Sequence, residues 1–343
     1  MPYATVNPAT GKTEKTFPTH TPDEVETRLA QAEYDYVVLN DWLQALSEYR
    51  AAAAGLPNDA QVQYGIARTL RRLGRFDEAI EGFKVAAGLN PNDDTSAYTV
   101  VEMVYALHRY EEAARLGQYF GDRFPGEQYT QYFKFQAQFE VDGDRAALIK
   151  ALAPLNPFGD SPGVVAYRQA LREGDLPAAE RALSDPTITA VQNESGTIIE
   201  PADLHRAYVA YLLGRAPQAQ VFADGAIAKY RKATWTPRQL PWTHLGIAQA
   251  EAFKGLAAES IRDGKAALAE MEAIDAYDCL EMRARYGKIL VMGGRRDEAL
   301  SVLEEVASKP MFVAPRDVRL DPIWSRLKDD PRFESILGSV KPL

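Results

Sequence analysis

Between positions 26 and 159 one pattern returns every 34 residues, and it limits the fold more than any other feature of the chain. An aromatic residue stands three positions before an alanine in Trp42-Leu43-Gln44-Ala45, Phe76-Asp77-Glu78-Ala79 and Tyr110-Glu111-Glu112-Ala113, each 34 residues on from the last. Pro57, Pro91 and Pro125 keep the same interval, each closing a segment with apolar residues at helical spacing. Such a unit reads as two antiparallel helices joined at a hinge and ended by a proline. One hairpin of that length cannot bury enough apolar surface to offset its chain entropy, so neighbouring hairpins must stack.

The stack divides as follows. Residues 1–21 stand outside the repeat as an N-terminal arm, loose or partly extended, with turns at Asn7-Pro8 and Thr10-Gly11. Thr21-Pro22-Asp23-Glu24 carries a helix-start signal: Thr as N-cap, Pro at the first helical position and acids in the first turn. Four regular units occupy 22–157, hinged near Asn40, Gly74, His108 and Gly143, with Ala147 at the next 34-residue step after Ala113. Glycine suits a left-handed helix end, asparagine tolerates it, and His108 is the least suited of these. Leu155 to Gly163 is a turn-rich break. Four looser units follow over 158–310, with hinges at Gly174, Gly214, Gly255 and Gly294. Their extra length falls in a polar loop at 185–201 and in a linker from Ala233 to Trp242. Loops that lengthen repeats lie on one face and serve binding, or are surface insertions that the fold tolerates. Residues 311–343 read as a C-terminal cap, in which Asp321-Pro322 and Asp330-Pro331 start short helices that cover the last unit.

Composition removes several function classes. No apolar run approaches the roughly 18 residues that a membrane span needs. The start, Met1 to Pro8, lacks a basic stretch and an apolar stretch, so the chain is expected to be cytoplasmic. A single cysteine, Cys279, makes no internal disulfide, and His20, His108, His205 and His244 are too scattered for a metal site. A net charge of −9 argues against a nucleic-acid backbone as the main partner.

The period, the small residues at fixed points and the closing proline resemble the tetratricopeptide repeat: counted from Ala60, Ala79, Phe83, Ala86 and Pro91 meet that family's small, aromatic, small and proline positions. The resemblance implies an all-α, right-handed α-solenoid of about eight helix-turn-helix units with a helical cap. Ala45, Ala79, Ala113, Ala147 and Ala179 are then the close-contact positions of successive hairpins, and Trp42, Phe76 and Tyr110 fill the space between repeats. It also implies that first helices line a concave surface. Its inward positions fall on Tyr64, Tyr98 and Tyr132, which form a tyrosine ladder, on Arg68, Glu102 and Gln136, and on Arg71, Arg72, Tyr105 and Phe139. These rings and guanidinium groups suit an interface, where arginine forks onto carboxylate or phosphate. The ladder reads equally as packing with wet hydroxyls. The family's clamp for chaperone tails needs Lys and Asn where Tyr64 and Arg68 stand, so such tails are not expected partners.

Two further resemblances are partial. Residues 1–33 are similar to the N-terminus of aldehyde (succinate-semialdehyde) dehydrogenases, but the Gly-x-Gly-x-x-Gly turn and glycine-rich cysteine context of that family have no counterpart. The layout of 26–340 resembles modules attached to bacterial adenylate cyclases, winged-helix regulators and kinases, whose effector domains these residues do not contain. Ser195 lacks the apolar strand of a nucleophile elbow, and the paired acids Glu111-Glu112, Glu304-Glu305 and Asp329-Asp330 read as solvated surface. No catalysis, cofactor or metal is expected. The chain reads as a scaffold for a protein or peptide on its concave face; the alternative is a ligand-sensing module of a bacterial signalling or transcription system. Self-association is left open.

Overall fold

The computed structural model describes residues 4–6, 10, 12–16, 21–193, 196–310 and 313–343. They fall into two compact units, Met1–Val100 and Val101–Leu343. Each unit is built from helices that pack in successive pairs.

In the first unit, β1 (Ala4–Val6) pairs antiparallel with β2 (Thr13–Thr16), so these stretches of the arm are extended. The expected turn at Asn7-Pro8 lies outside the described residues, as does Gly11 of the second one. Helix α1 (Pro22–Tyr34) starts as its sequence dictates: the Thr21 hydroxyl accepts from Glu24 N, and Glu24 Oε2 accepts from Thr21 N. It ends in one π turn, Asp35–Leu39. There follow α2 (Trp42–Gly55), α3 (Ala60–Arg72), α4 (Phe76–Leu89) and α5 (Asp94–Ala106), whose second half belongs to the other unit. Val25, Ala52 and Val62 join α1, α2 and α3 in one core.

The second unit continues with α6 (Tyr110–Arg123), α7 (Gln128–Asp142), α8 (Arg145–Leu152), α9 (Pro162–Glu173) and α10 (Leu176–Leu183). A hairpin of β3 (Ala190–Gln192) and β4 (Ile199–Pro201) interrupts the helices. Then come α11 (Ala202–Leu212), α12 (Ala216–Lys232), α13 (Gln239–Phe253), α14 (Ala257–Glu272), α15 (Ala276–Met292) and α16 (Arg296–Ala307). The end of the chain holds α17 (Pro315–Leu320), a 3-10 turn at Trp324–Leu327 and α18 (Pro331–Ser339). A continuous core runs from Ile198 to Leu337 and takes in Trp242, Met271, Ile289, Trp324 and Phe333.

Every hinge uses a left-handed residue: Asn40, Gly74, His108, Gly143, Gly174, Gly214, Gly255 and Gly294 all have positive φ. At Gly74 the turn closes with Gly74 N donating to Arg71 O and Arg75 N to Leu70 O, the paired bonds of a Schellman end. The same pair recurs at His108, Gly174, Gly214, Gly255 and Gly294. Five positions after each of these hinge residues except Gly143 a small side chain is fully buried: Ala45, Ala79, Ala113, Ala179, Ala219, Ser260 and Ala299. The hinge therefore sets where the second helix meets the first.

The fourth unit breaks the 34-residue frame. Gly143 closes α7 with the simpler bond of its N–H to Phe139 O, and the residue five positions on is Leu148. Leu148 is buried while Ala147 is exposed, so the close-contact position expected at Ala147 belongs to Leu148. The hinge comes one residue later here, at Gly143, and the hinge, not the count from Ala113, fixes the register. Acidic N-caps obey the period to the same point: Asp59 accepts from Gln61 N and Val62 N, Asp93 from Thr95 N and Ser96 N, and Glu127 from Tyr129 N and Thr130 N.

Within 185–201, expected as a polar loop, β3 and β4 pair, and Ile188, Val191, Ile198 and Glu200 are buried. Its polar residues outnumber those four, which hides the strands in the sequence. In the cap, Asp321 Oδ1 accepts from Ile323 N and Trp324 N, and Asp330 caps α18 by accepting from Arg332 N, so both Asp-Pro steps start a helical turn. Helix α17 lacks an acidic N-cap and starts only with Pro315 at its first position and Asp317 in its first turn.

Candidate functional site

In the first unit the inward residues form one preassembled cluster. The Gly65 position in α3 has no room for a side chain, since a Cβ there would lie 2.5 Å from the Tyr49 ring. That close approach lets Tyr49 lie across α3, and its hydroxyl donates to Glu33 Oε1 at 2.6 Å. Arg68 bonds both Glu33 and the Tyr49 hydroxyl, and its guanidinium sits 4.1 Å from the Tyr36 ring centroid. Arg72 Nε donates to the Tyr36 hydroxyl at 3.4 Å, and Arg71 lies 5.6 Å over Phe83, the ring that Tyr64 also packs against at 5.3 Å. Tyr64, Arg68, Arg71, Arg72 and Tyr98 are all half-buried.

The electrostatics follow from three guanidinium groups on one helix face. Burial pushes the Tyr36 phenol up, but Arg72, Arg71 and Arg68 outweigh it and leave it below its ordinary value. Burial likewise opposes the Glu33 carboxylate, yet its bonds to Arg68 and Tyr49 hold it low. Tyr49 is pushed up by burial and by the adjacent Glu33. The π turn next to this cluster was not legible in the sequence. It leaves Val37, Val38, Leu39 and Leu43 exposed, Leu43 to 71%.

In the second unit the expected inward residues are already engaged by the chain itself. Tyr105, Tyr132 and Phe139 are buried. Phe139 packs with Leu148, Leu152 and Phe158, and Tyr132 meets Phe158 edge-on at 5.6 Å, so these two rings serve packing in this structure. Glu102 accepts from the Tyr277 hydroxyl at 3.2 Å. Tyr105 and Gln136 both donate to Asp317 Oδ2, at 3.4 and 3.5 Å. Burial, with Asp317 close by, pushes the Tyr105 phenol well up.

A second buried cluster escaped the sequence reading. Glu200 on β4 lies 2.7 Å from Arg285 Nη1 on α15 and 3.1 Å from His205 Nε2 on α11. The Tyr167 hydroxyl meets the other ring nitrogen of His205 at 3.1 Å, and Arg285 stacks 5.1 Å over Trp242. Burial disfavours the Glu200 carboxylate, but Arg285 and His205 prevail and lower it to about 2. The partners come from α9, β4, α11, α13 and α15, and no local pattern links elements so far apart in sequence.

Other candidates resolve simply. Among the described residues no group of three His, Cys, Asp or Glu side chains could hold a metal ion. Cys279 is buried, and burial pushes its thiol up, the reverse of an activated nucleophile. His244 pairs with Glu270 at 2.7 Å. Glu305 pairs with Arg283 and Asp330 caps α18. His20 and Ser195 lie outside the described residues. No described helix is long and apolar enough to cross a membrane.

The tetratricopeptide repeat family model matches residues 39–104, which hold the hinges Asn40 and Gly74 and the arginine face of α3. The tetratricopeptide repeats so matched are those of α2 to α5. Solved structures to which it is similar include the tetratricopeptide-repeat domain of P58(IPK), at 13% identity over 92% of this chain and 97% of that one, with a TM-score of 0.32. Another is the Cut9-Hcn1 hetero-tetramer of the APC/C, at 12% identity over 94% and 57%, with a TM-score of 0.43. A repeat protein from Parabacteroides merdae matches at 14% over 88% and 99%, with a TM-score of 0.34. No curated protein matches the chain.

Proposed function

We propose that the chain is a non-catalytic scaffold that binds a protein or peptide segment on the inward helices of its repeats, and that the first unit selects acidic segments. The observation that carries this reading is the gathering of Arg68, Arg71 and Arg72 around Tyr36, with Arg68 fixed in place by Glu33, Tyr49 and the Tyr36 ring. A guanidinium held by its neighbours loses less freedom when a ligand arrives, and its planar fork matches a carboxylate or phosphate. Tyr64 on α3 itself and Tyr98 on α5 supply half-exposed rigid rings.

A random peptide library displayed on phage tests the proposal. Panning against the immobilised full chain should enrich sequences rich in Asp and Glu, and the enrichment should vanish with Arg71→Gln/Arg72→Gln after circular dichroism shows that the variant is folded. Enrichment without acidic bias, or bias that survives in the variant, would refute acidic selection by this face.

A further inference from the structure

The inner face of the second unit is filled by a segment of its own chain, and the contacts specify what that face recognises. Helix α17 lies on α7. Both carboxylate oxygens of Glu140 accept from Arg316 N at 3.1 Å, and Oε1 also accepts from Asp317 N at 3.2 Å. Adjacent unpaired N–H groups of this kind occur in the first turn of a helix. The Arg316 side chain turns the other way and donates to Glu140 O at 3.0 Å and Val141 O at 3.4 Å, the carbonyls at the end of α7. Asp317 then receives the Tyr105 hydroxyl and the Gln136 amide. Ala314 and Val318 supply the buried apolar side.

Three complementary demands meet here. Glu140 asks for free helix-start amides, the α7 terminus asks for a guanidinium, and Tyr105 with Gln136 asks for a carboxylate. Even Gly143 takes part, since a Cβ there would lie 2.2 Å from Arg316 Nη1. Burial pushes the Glu140 carboxyl up, and the amides of Arg316 and Asp317 offset part of that penalty. The occupant has six helical residues, too few to persist as a helix without the face beneath it. Beyond it the chain is anchored separately, with Trp324 buried against Gly287 of α15.

We infer that α17 is an exchangeable internal ligand, and that the inner face of the second unit binds partner segments that begin a helix with Arg followed by Asp in its first turn. This rests on the scaffold reading above but concerns a different face, so the two fail separately: acidic selection by the first unit is judged by the phage library alone.

The test uses a fluorescently labelled synthetic peptide of residues 310–325 titrated into the full chain. Wild type should bind it weakly, because its own segment competes. The chain carrying Arg316→Ala/Asp317→Ala should bind it at least tenfold more tightly, and adding Glu140→Gln should reverse that gain. Equal affinity for wild type and the double variant, no binding to the double variant, or tight binding that survives Glu140→Gln would overturn the inference. Hydrogen exchange on wild type gives a second readout that needs no variant. Saturating peptide should speed exchange in 313–320 and leave α15 unchanged, and unchanged exchange in 313–320 would equally overturn it.

Discussion

Removing Arg285 should damage the second unit in a way that acid partly conceals. The carboxylate of Glu200 is buried between Arg285 and His205 and titrates near 2 instead of 4.5. That difference corresponds to about 3 kcal/mol in favour of the charged folded form. Because the folded value is depressed, the contribution is complete above about pH 4.5 and is lost as the pH falls through about 2. Arg285→Met keeps much of the packing over Trp242 but leaves the carboxylate with less compensation, which costs about 3–5 kcal/mol at pH 7. In the variant Glu200 protonates at a higher pH than in wild type, so the deficit should shrink by at least about 2 kcal/mol by pH 3. Urea unfolding followed by far-ultraviolet circular dichroism at pH 7, 5 and 3 reads this directly, with slopes compared so that a change in cooperativity is not mistaken for one in stability. Adding Glu200→Gln should recover most of the loss at pH 7. A deficit below about 1 kcal/mol at pH 7, or one independent of pH, would refute the argument that the ion pair holds β4 against α15.

The register of the hairpins gives a sharp contrast: Ala79→Leu should overpack a fully buried contact and cost about 1–3 kcal/mol, while Ala147→Leu, on an exposed position, should stay within about 0.5 kcal/mol. Thermal melts of the two variants decide it, and equal losses would return Ala147 to the close-contact position. Gly287→Ala would place a Cβ 2.4 Å from Trp324, so the cap should loosen and limited proteolysis should cut near residues 320–330 sooner than in wild type. Unchanged cleavage would show that Trp324 does not depend on that close approach.

The repeat was legible because its determinants are local. Left-handed hinge residues, acidic N-caps and the small residue five positions past every hinge but Gly143 all lie within one turn of the feature they control. His108, the least suitable of the hinge residues by propensity, still adopts φ 58°, because the same Schellman bonds close around it. The frame slipped at Ala147 because the count from Ala113 assumed helices of constant length. The candidate site was legible only as a set of inward positions. Sequence placed Tyr64, Arg68, Arg71 and Arg72 together on α3, but Glu33, Tyr36 and Tyr49, which fix Arg68, come from α1, the π turn and α2. Glu200 and Arg285 are 85 positions apart, and Glu140 is 176 from Arg316, beyond the reach of any periodic signal.

Counting from the hinge instead of from the previous repeat exposes how one scaffold position serves different chemistries. Three residues before the left-handed residue stand Arg71 in α3, Tyr105 in α5 and Glu140 in α7. The backbone presents them from the same place on successive first helices. Arg71 joins a cationic cluster suited to acids, Tyr105 donates to a carboxylate, and Glu140 accepts the amides of a helix start. The hinge bonds and the contact of the residue five positions past the hinge are made without this side chain, so its charge can change between repeats even where, as at Tyr105 and Glu140, it is buried. Exchanging the two charged residues, as Arg71→Glu with Glu140→Arg, should therefore leave the helical content unchanged while abolishing both acidic selection and α17 docking, and loss of helicity would show that the position is structural after all.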